Sequence, residues 1–298
     1  MAKRGDPIDG VMLFDKPEGM SSNAALQKVR RAINAQKAGH TGTLDPFASG
    51  LLPLCFGNAT KFSLDLLNAD KSYVAPVRLG YCSSTGDTEG EIEPHPAGLN
   101  GVTLEAIREA AQKFVGDIEQ TPPMFSALKR DGRPLYEYAR EGVSLAIEPR
   151  QVRVESLTIL DFDGESFTMA CQVSKGTYIR VLGEDIGRAL GTAAYLTALR
   201  RTQVGDLTLK GAVRLDQLED QPNDVCRSFL LGADRLLQSF PAVTLTDDEA
   251  ERFMHGQRLR LSHSIRGRVR VYGKPWGLLG TALLDEVGTM HPERLIAH

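Results

Sequence analysis

The feature of this 298-residue chain best suited to chemistry is a carboxylate set among glycines. Residues Gly39-His-Thr-Gly-Thr-Leu-Asp-Pro-Phe-Ala-Ser-Gly50 hold three glycines and a single acidic side chain, Asp45. Glycine permits tight turns and lets backbone approach a ligand closely. Pro46 biases Asp45 toward an extended conformation, so the segment reads as a structured loop that presents one carboxylate. The glycine spacing fits neither a phosphate-cradling P-loop nor a dinucleotide fingerprint. An aspartate of ordinary pKa, ~4, is ionised at neutral pH. It can attack an electrophilic carbon or stabilise positive charge growing beside it. It can also simply cap a turn, as Asp-Pro pairs often do. The residues alone leave both roles open.

Composition narrows the setting. With 42% hydrophobic and 24% charged residues the chain is ordinary globular protein, and its length suggests two domains. Cys55, Cys82, Cys171 and Cys226 form no CxxC pair and no metal-ligand spacing, so free thiols and no metal are expected. No run approaches the roughly 20 apolar residues of a membrane span, and residues 1–10 lack a signal-peptide core. A cytoplasmic protein with no membrane contact is expected. The net charge of −3 does not announce a nucleic-acid binder. From Arg252 to Lys274, however, there are seven Arg or Lys residues and no Asp or Glu. Lys28, Arg30, Arg31 and Lys37 form a smaller basic cluster, while acidic residues gather at 87–93 and 216–224. A one-sided basic surface can hold phosphate despite a negative total. A merely solvated charged face explains the pattern equally well.

The elements that must position Asp45 are partly visible. Ala25, Leu26, Val29, Ala32 and Ile33 follow helical spacing after Ser22, a candidate N-cap. Thr103 precedes a second helical pattern, and Ile179, Leu182, Ile186 and Leu190 predict a third near 177–190. Tyr73, Ala75, Val77 and Leu79 alternate as in a strand, as do Phe167, Met169, Cys171 and Val173. Helices and strands do not alternate regularly, which predicts α+β rather than a doubly wound parallel sheet. Residues 121–150, with four prolines, suit a long functional loop. Residues 216–224 suit a polar surface connection. After about Phe240, short strand-like pieces such as 268–272 and 277–284 predict a small β-rich C-terminal domain, starting near 239.

The loop around Asp45 resembles the catalytic loop of the TruB family of tRNA pseudouridine-55 synthases. Four further segments, in the family's order, carry the resemblance: Asp15-Lys-Pro-Glu-Gly-Met-Ser-Ser22, Lys71-Ser-Tyr73, Ser174-Lys-Gly-Thr-Tyr-Ile-Arg180 and Leu199-Arg-Arg201. The resemblance implies a catalytic domain over 1–238, built on a mixed, largely antiparallel sheet with flanking helices. It also implies a PUA-like RNA-binding domain over 239–298.

It further implies isomerisation of uridine 55 in the T-loop of tRNA, with no cofactor and no metal. The bond from ribose C1′ to uracil N1 breaks, the base turns, and it rejoins through C5. A carboxylate suits an oxocarbenium-like centre, as in glycosidases, and by similarity Asp45 is the nucleophile. By the same resemblance Tyr73 is catalytic, packing on the flipped base and helping to remove its C5 proton, and Arg180 pairs with Asp45 and keeps it ionised. Tyr178 and Leu199 line the uracil pocket, Lys16 belongs to the substrate site, and His40 stacks in the RNA loop where the base was. Residues 121–150 resemble an RNA-gripping insertion, in which Lys129, Arg130, Arg133 and Arg140 face phosphates and Tyr136 and Tyr138 pack or stack. Arg258, Arg260, Arg266, Arg268 and Arg270 are expected to hold the acceptor stem. Catalytic subunits of H/ACA particles share the Asp loop but lack that insertion, so action without guide RNA is expected; a monomer is expected as well. A noncatalytic RNA chaperone and a glycosidase are the competing readings. The glycosidase lacks an evident second acid in these motifs.

Overall fold

The computed structural model describes residues 5–99, 101–262 and 264–296. Its centre is a large mixed sheet. The main path runs Val213–Arg214, Gly10–Lys16, Ser49–Phe56, Arg200–Val204, Lys71–Leu79, Ser166–Val173, Arg150–Phe162 and Gly116–Gln120. Gly10–Lys16 pairs parallel with Val213–Arg214, and Ser49–Phe56 pairs parallel with Arg200–Val204. The other neighbours on this path are antiparallel. The α+β expectation, with a mixed and largely antiparallel sheet, matches this arrangement.

Two central strands escaped the pattern reading because they do not alternate. In Gly10–Lys16, Met12 and Phe14 join one apolar cluster while Val11 and Leu13 join the cluster on the opposite face. A strand covered on both faces reads as an unbroken apolar run, which periodicity cannot tell from a buried helix. The helices Ser22–Ala32, Leu104–Gln112 and Ile179–Ala189 cover one face through Ala25, Leu26, Val29, Ile107, Ala111, Leu182 and Ile186. Lys71–Leu79 and Ser166–Val173 alternate as predicted and pair from Tyr73–Cys171 to Val77–Phe167. Thr103 caps its helix by accepting from the Ala106 amide at 3.2 Å. The first helix differs from expectation: Ser21 is the N-cap, accepting from the Ala24 amide, while Ser22 is turned inward.

Residues 121–150 are more ordered than a plain loop. They contain a small hairpin, Lys129–Arg130 with Arg133–Pro134, followed by the helix Leu135–Arg140. A separate five-stranded sheet follows, ordered Ala242–Thr244, Gly267–Gly273, Gly277–Leu284, Thr289–Leu295, Leu259–Arg260. It has its own core around Phe253, Val269, Val271 and Leu279, against the helix Asp247–Met254. Among the described residues, no helix is long and apolar enough to cross a membrane.

Candidate active site

Asp45 sits just before Ser49–Phe56, beside the centre of the sheet, in a loop held from every side. Ser22 is 2% exposed, and its hydroxyl both accepts from the Leu44 amide at 2.7 Å and donates to the Leu44 carbonyl at 2.9 Å. The Gly19 amide donates to the Pro46 carbonyl at 2.9 Å. The Asp45 carbonyl accepts from the Ala48 amide at 3.1 Å, closing a tight turn. Arg201, 1% exposed, donates to Leu51, Thr43 and Gly42 carbonyls at 2.8, 3.4 and 3.1 Å. Gly42 and Gly50 have φ of +113° and +104°, so both need glycine's freedom. At Gly50 the requirement is also steric, since a Cβ would lie 2.2 Å from the Arg201 carbonyl oxygen. Gly50→Ala is therefore expected to destabilise the protein by about 2–4 kcal/mol, seen as a lower urea midpoint. An unchanged midpoint would show that the Arg201 strand can shift at little cost.

Lys16, expected in the substrate site, is fully buried. Its ammonium donates to the Pro17, Met20 and Pro46 carbonyls at 2.8, 2.6 and 3.4 Å. It stands behind the loop and braces the residue after Asp45. Burial lowers its pKa to about 8, against the opposing pull of Asp45.

Arg180 does face Asp45. Its Nη2 lies 3.0 Å from Asp45 Oδ2, and its guanidinium also donates to the Thr85 and Phe125 carbonyls at 2.6 and 2.7 Å. A second carboxylate completes the group: Asp87 Oδ2 is 3.5 Å from Arg180 Nε. Asp87 is 2% exposed, accepts from the Thr85 hydroxyl at 2.5 Å and from the Glu89 amide at 2.9 Å. In the sequence it belongs to the acidic cluster at 87–93; the fold buries it beside Arg180. This changes the electrostatics expected for Asp45. Burial raises its pKa, Arg180 pulls it back, and Asp87 pushes it up again. The net direction is upward, so the ion pair moderates the shift rather than lowering the pKa below ordinary.

A cleft of about 230 Å³ opens above this group. Asp45, Tyr73, Tyr178, Arg180 and Leu199 all line it, together with Lys71 and Arg201. Tyr73 lies directly across the strand pair from Arg201, and burial raises its phenol pKa. Tyr178 is fixed through its backbone: Gln120, 2% exposed, accepts from its amide at 2.9 Å and donates to its carbonyl at 3.2 Å. His40 is on the short strand Ala38–His40, outside the cleft lining, and its Nδ1 is buried without a hydrogen-bond partner among the described residues. Burial and the nearby Arg201 lower its pKa, which favours the neutral ring. Among the described residues, no group of three or more His, Cys, Asp or Glu side chains is placed to hold a metal ion.

Ser22, Asp87, Gln120 and Arg201 received no site role from the sequence. Each is polar and at least nine-tenths buried, a property that sequence spacing does not reveal.

The predicted phosphate contacts are unequal. Lys129, Arg258 and Arg260 are exposed. Arg130 donates to the Ala146 carbonyl at 2.9 Å. Arg133 is taken up by Glu137 and Glu141 and stacks 4.6 Å from the Tyr138 ring centre, so its charge is already satisfied. Arg270 stacks 5.9 Å from the Tyr272 ring centre. Arg268 is bound within the protein to Asp65 and Glu293.

Among solved structures the fold is similar to that of Cbf5 complexes. The fold matches the Cbf5–Nop10–Gar1 complex with a TM-score of 0.73 and 26% identity, covering 96% of this chain and 84% of the other. It matches the archaeal box H/ACA sRNP Nop10–Cbf5 complex with a TM-score of 0.70 and 25% identity, covering 99% and 91%. Residues 30–179 match the TruB family pseudouridylate synthase N-terminal domain. Residues 180–238 match the tRNA pseudouridylate synthase B C-terminal domain, and residues 241–296 match the C-terminal domain of pseudouridine synthase II TruB. The chain belongs to the TruB family of pseudouridine synthases. "tRNA pseudouridine synthase B" of Burkholderia mallei (strain NCTC 10247) is 52% identical over 99% of both chains. The protein of that name from Cupriavidus metallidurans is 51% identical over 97% of this chain and 94% of its own.

Proposed function

We propose that this enzyme converts uridine 55 in the T-loop of tRNA to pseudouridine, with Asp45 as the nucleophile. The observation that carries this reading is the Asp45 carboxylate, 3.0 Å from a buried Arg180, facing a cleft lined by Tyr73 and Tyr178. Relatives 51–52% identical over nearly the whole chain are named for tRNA pseudouridine synthesis, which supports the substrate class. The uridine leaves its stack and enters the cleft, where aromatic side chains can hold its faces. Asp45 then acts on the sugar–base linkage, either by bonding or by assisting elimination, and both routes need it ionised. Uracil N1 parts from C1′, C5 joins C1′ and gives up its proton to solvent, and N1 takes up a proton, so the product is an isomer of the substrate. Residues 1–238 form the catalytic domain, and 239–298 a PUA-like domain that holds the acceptor stem. Residues 121–150 grip the RNA, and the enzyme works as a cytoplasmic monomer without guide RNA.

The test is tritium release from unmodified tRNA labelled at uracil C5, with no guide RNA or partner protein, and the product mapped by sequence position. Release with product at position 55 is expected. Binding without release would leave the chaperone reading, and release only with added guide RNA would assign a guided enzyme.

The raised pKa of Asp45 adds a pH signature. The acid limb of kcat/KM is expected above the ordinary carboxylate value of ~4, because protonation removes the working form. For stability the sign is opposite. Between the ordinary and the raised pKa the folded state holds more proton than the unfolded one. This contribution is therefore present at low pH and lost as pH rises through the folded pKa. An acid limb at or below ~4 would show that burial does not control Asp45.

A further inference from the structure

The short helix Ser63–Leu67 meets two parts of the molecule at once. Toward the C-terminal sheet, Asp65 Oδ1 accepts from Arg268 Nη1 at 2.5 Å. Arg268, on the strand Gly267–Gly273, also donates from Nε to Glu293 at 2.7 Å and stacks 4.9 Å from the Phe240 ring centre. The same seam carries Lys61 Nζ donating to the Leu295 carbonyl at 2.7 Å, and Arg294 donating to the Lys61 carbonyl. Ile296 is buried there among Phe62, Leu66 and Leu236. Toward the active site, the Leu66, Leu67 and Ala69 carbonyls accept from Lys71 Nζ at 3.4, 2.8 and 2.5 Å. Asn68 Oδ1 accepts from Lys175 Nζ at 2.8 Å. Leu67, Lys71 and Lys175 all line the catalytic cleft.

The side chain of Arg268 is therefore spent inside the protein. Two carboxylates against one guanidinium leave little attraction for a phosphate at that atom. We propose that Arg268 is a positioning residue: through Asp65 it docks the C-terminal sheet on the helix Ser63–Leu67, and so registers an RNA held by that sheet on the cleft. This rests on the reading that tRNA spans both. An RNA reaching only the cleft does not depend on the latch. A tRNA does, because only molecules with the sheet docked engage both ends together.

The experiment compares Asp65→Asn, Arg268→Gln and the double variant on two RNAs: full-length unmodified tRNA and an isolated T-arm stem-loop. Tritium release and direct binding over a range of salt are both read. If undocking leaves about a tenth of molecules competent, KM and Kd for tRNA rise about tenfold in each single variant. The double variant is no worse than either single one, since both remove the same contact. The kcat for tRNA, all values for the stem-loop, and the slope of binding against salt stay unchanged. A direct phosphate contact makes opposite predictions: Arg268→Gln would lower the salt slope by about one, and Asp65→Asn, which removes a negative charge, would bind tRNA as well or better. Either result overturns the latch. Thermal melting checks that the variants fold, and Glu293→Gln, expected to act in the same direction, replaces any variant that does not. Wild type that binds tRNA without releasing tritium sinks the functional reading, while the affinities still decide the latch. Wild type that binds tRNA no better than the stem-loop overturns the latch alone.

Discussion

Replacing Asp45 with Asn is expected to lower pseudouridine formation by on the order of 10⁴–10⁶-fold, with tRNA binding little changed. The amide has the size and shape of the carboxylate, and its oxygen can still accept from Arg180 Nη2, now 3.0 Å away. The loop should therefore keep its form, since Ser22, Gly19, Lys16 and Arg201 hold its backbone rather than this side chain. What disappears is the negative charge, and with it both ways of acting on a sugar–base bond. Single-turnover tritium release and filter binding separate the two quantities. Comparable release by variant and wild type would keep the reaction and remove Asp45 from it.

Arg180→Met is expected to damage both activity and stability. The Arg180 and Asp87 side chains are only 5% and 3% exposed. Removing the cation leaves Asp87 buried without a counter-charge, which typically costs about 3–5 kcal/mol. Asp45 also loses the largest of the influences that pull its pKa down, leaving Lys16 to oppose burial and Asp87. Turnover is expected to fall about 10²–10³-fold at neutral pH. The acid limb of kcat/KM should move to higher pH, because a smaller fraction of Asp45 is ionised. Urea denaturation measures the first effect and a pH–rate profile the second. A stable variant with an unmoved acid limb would show that Arg180 neither supports the fold nor tunes Asp45.

How much of this was legible in the sequence depended on the kind of signal. Tyr73 and Cys171 announced themselves by alternation, because each strand turns every second side chain into one apolar cluster. Ile179, Leu182 and Ile186 did so by helical spacing. Gly10–Lys16 and Ser49–Phe56 gave no such signal, since partners on both faces remove the polar phase of the pattern. Ser22 was misread because a serine before an apolar run is usually a cap. Here the cap is Ser21, and Ser22 spends both hydrogen bonds on Leu44.

By itself the sequence determined the local chemistry: a loop with glycines at 39, 42 and 50, a carboxylate before a proline, and a segment ending in Arg180. Motif order then identified the family to which those parts belong. Only the tertiary structure decided the charges around Asp45. Asp87 lies 42 positions along the chain from it in an acidic stretch, and nothing in that stretch separates a buried carboxylate from its solvated neighbours. The same holds for Arg268, one of seven cations in its run, whose partners Asp65 and Glu293 come from two distant segments. The physical reason is common to both. A charge is defined by what surrounds it, and burial and pairing across the sheet or between sheets are set by packing, which no local pattern encodes.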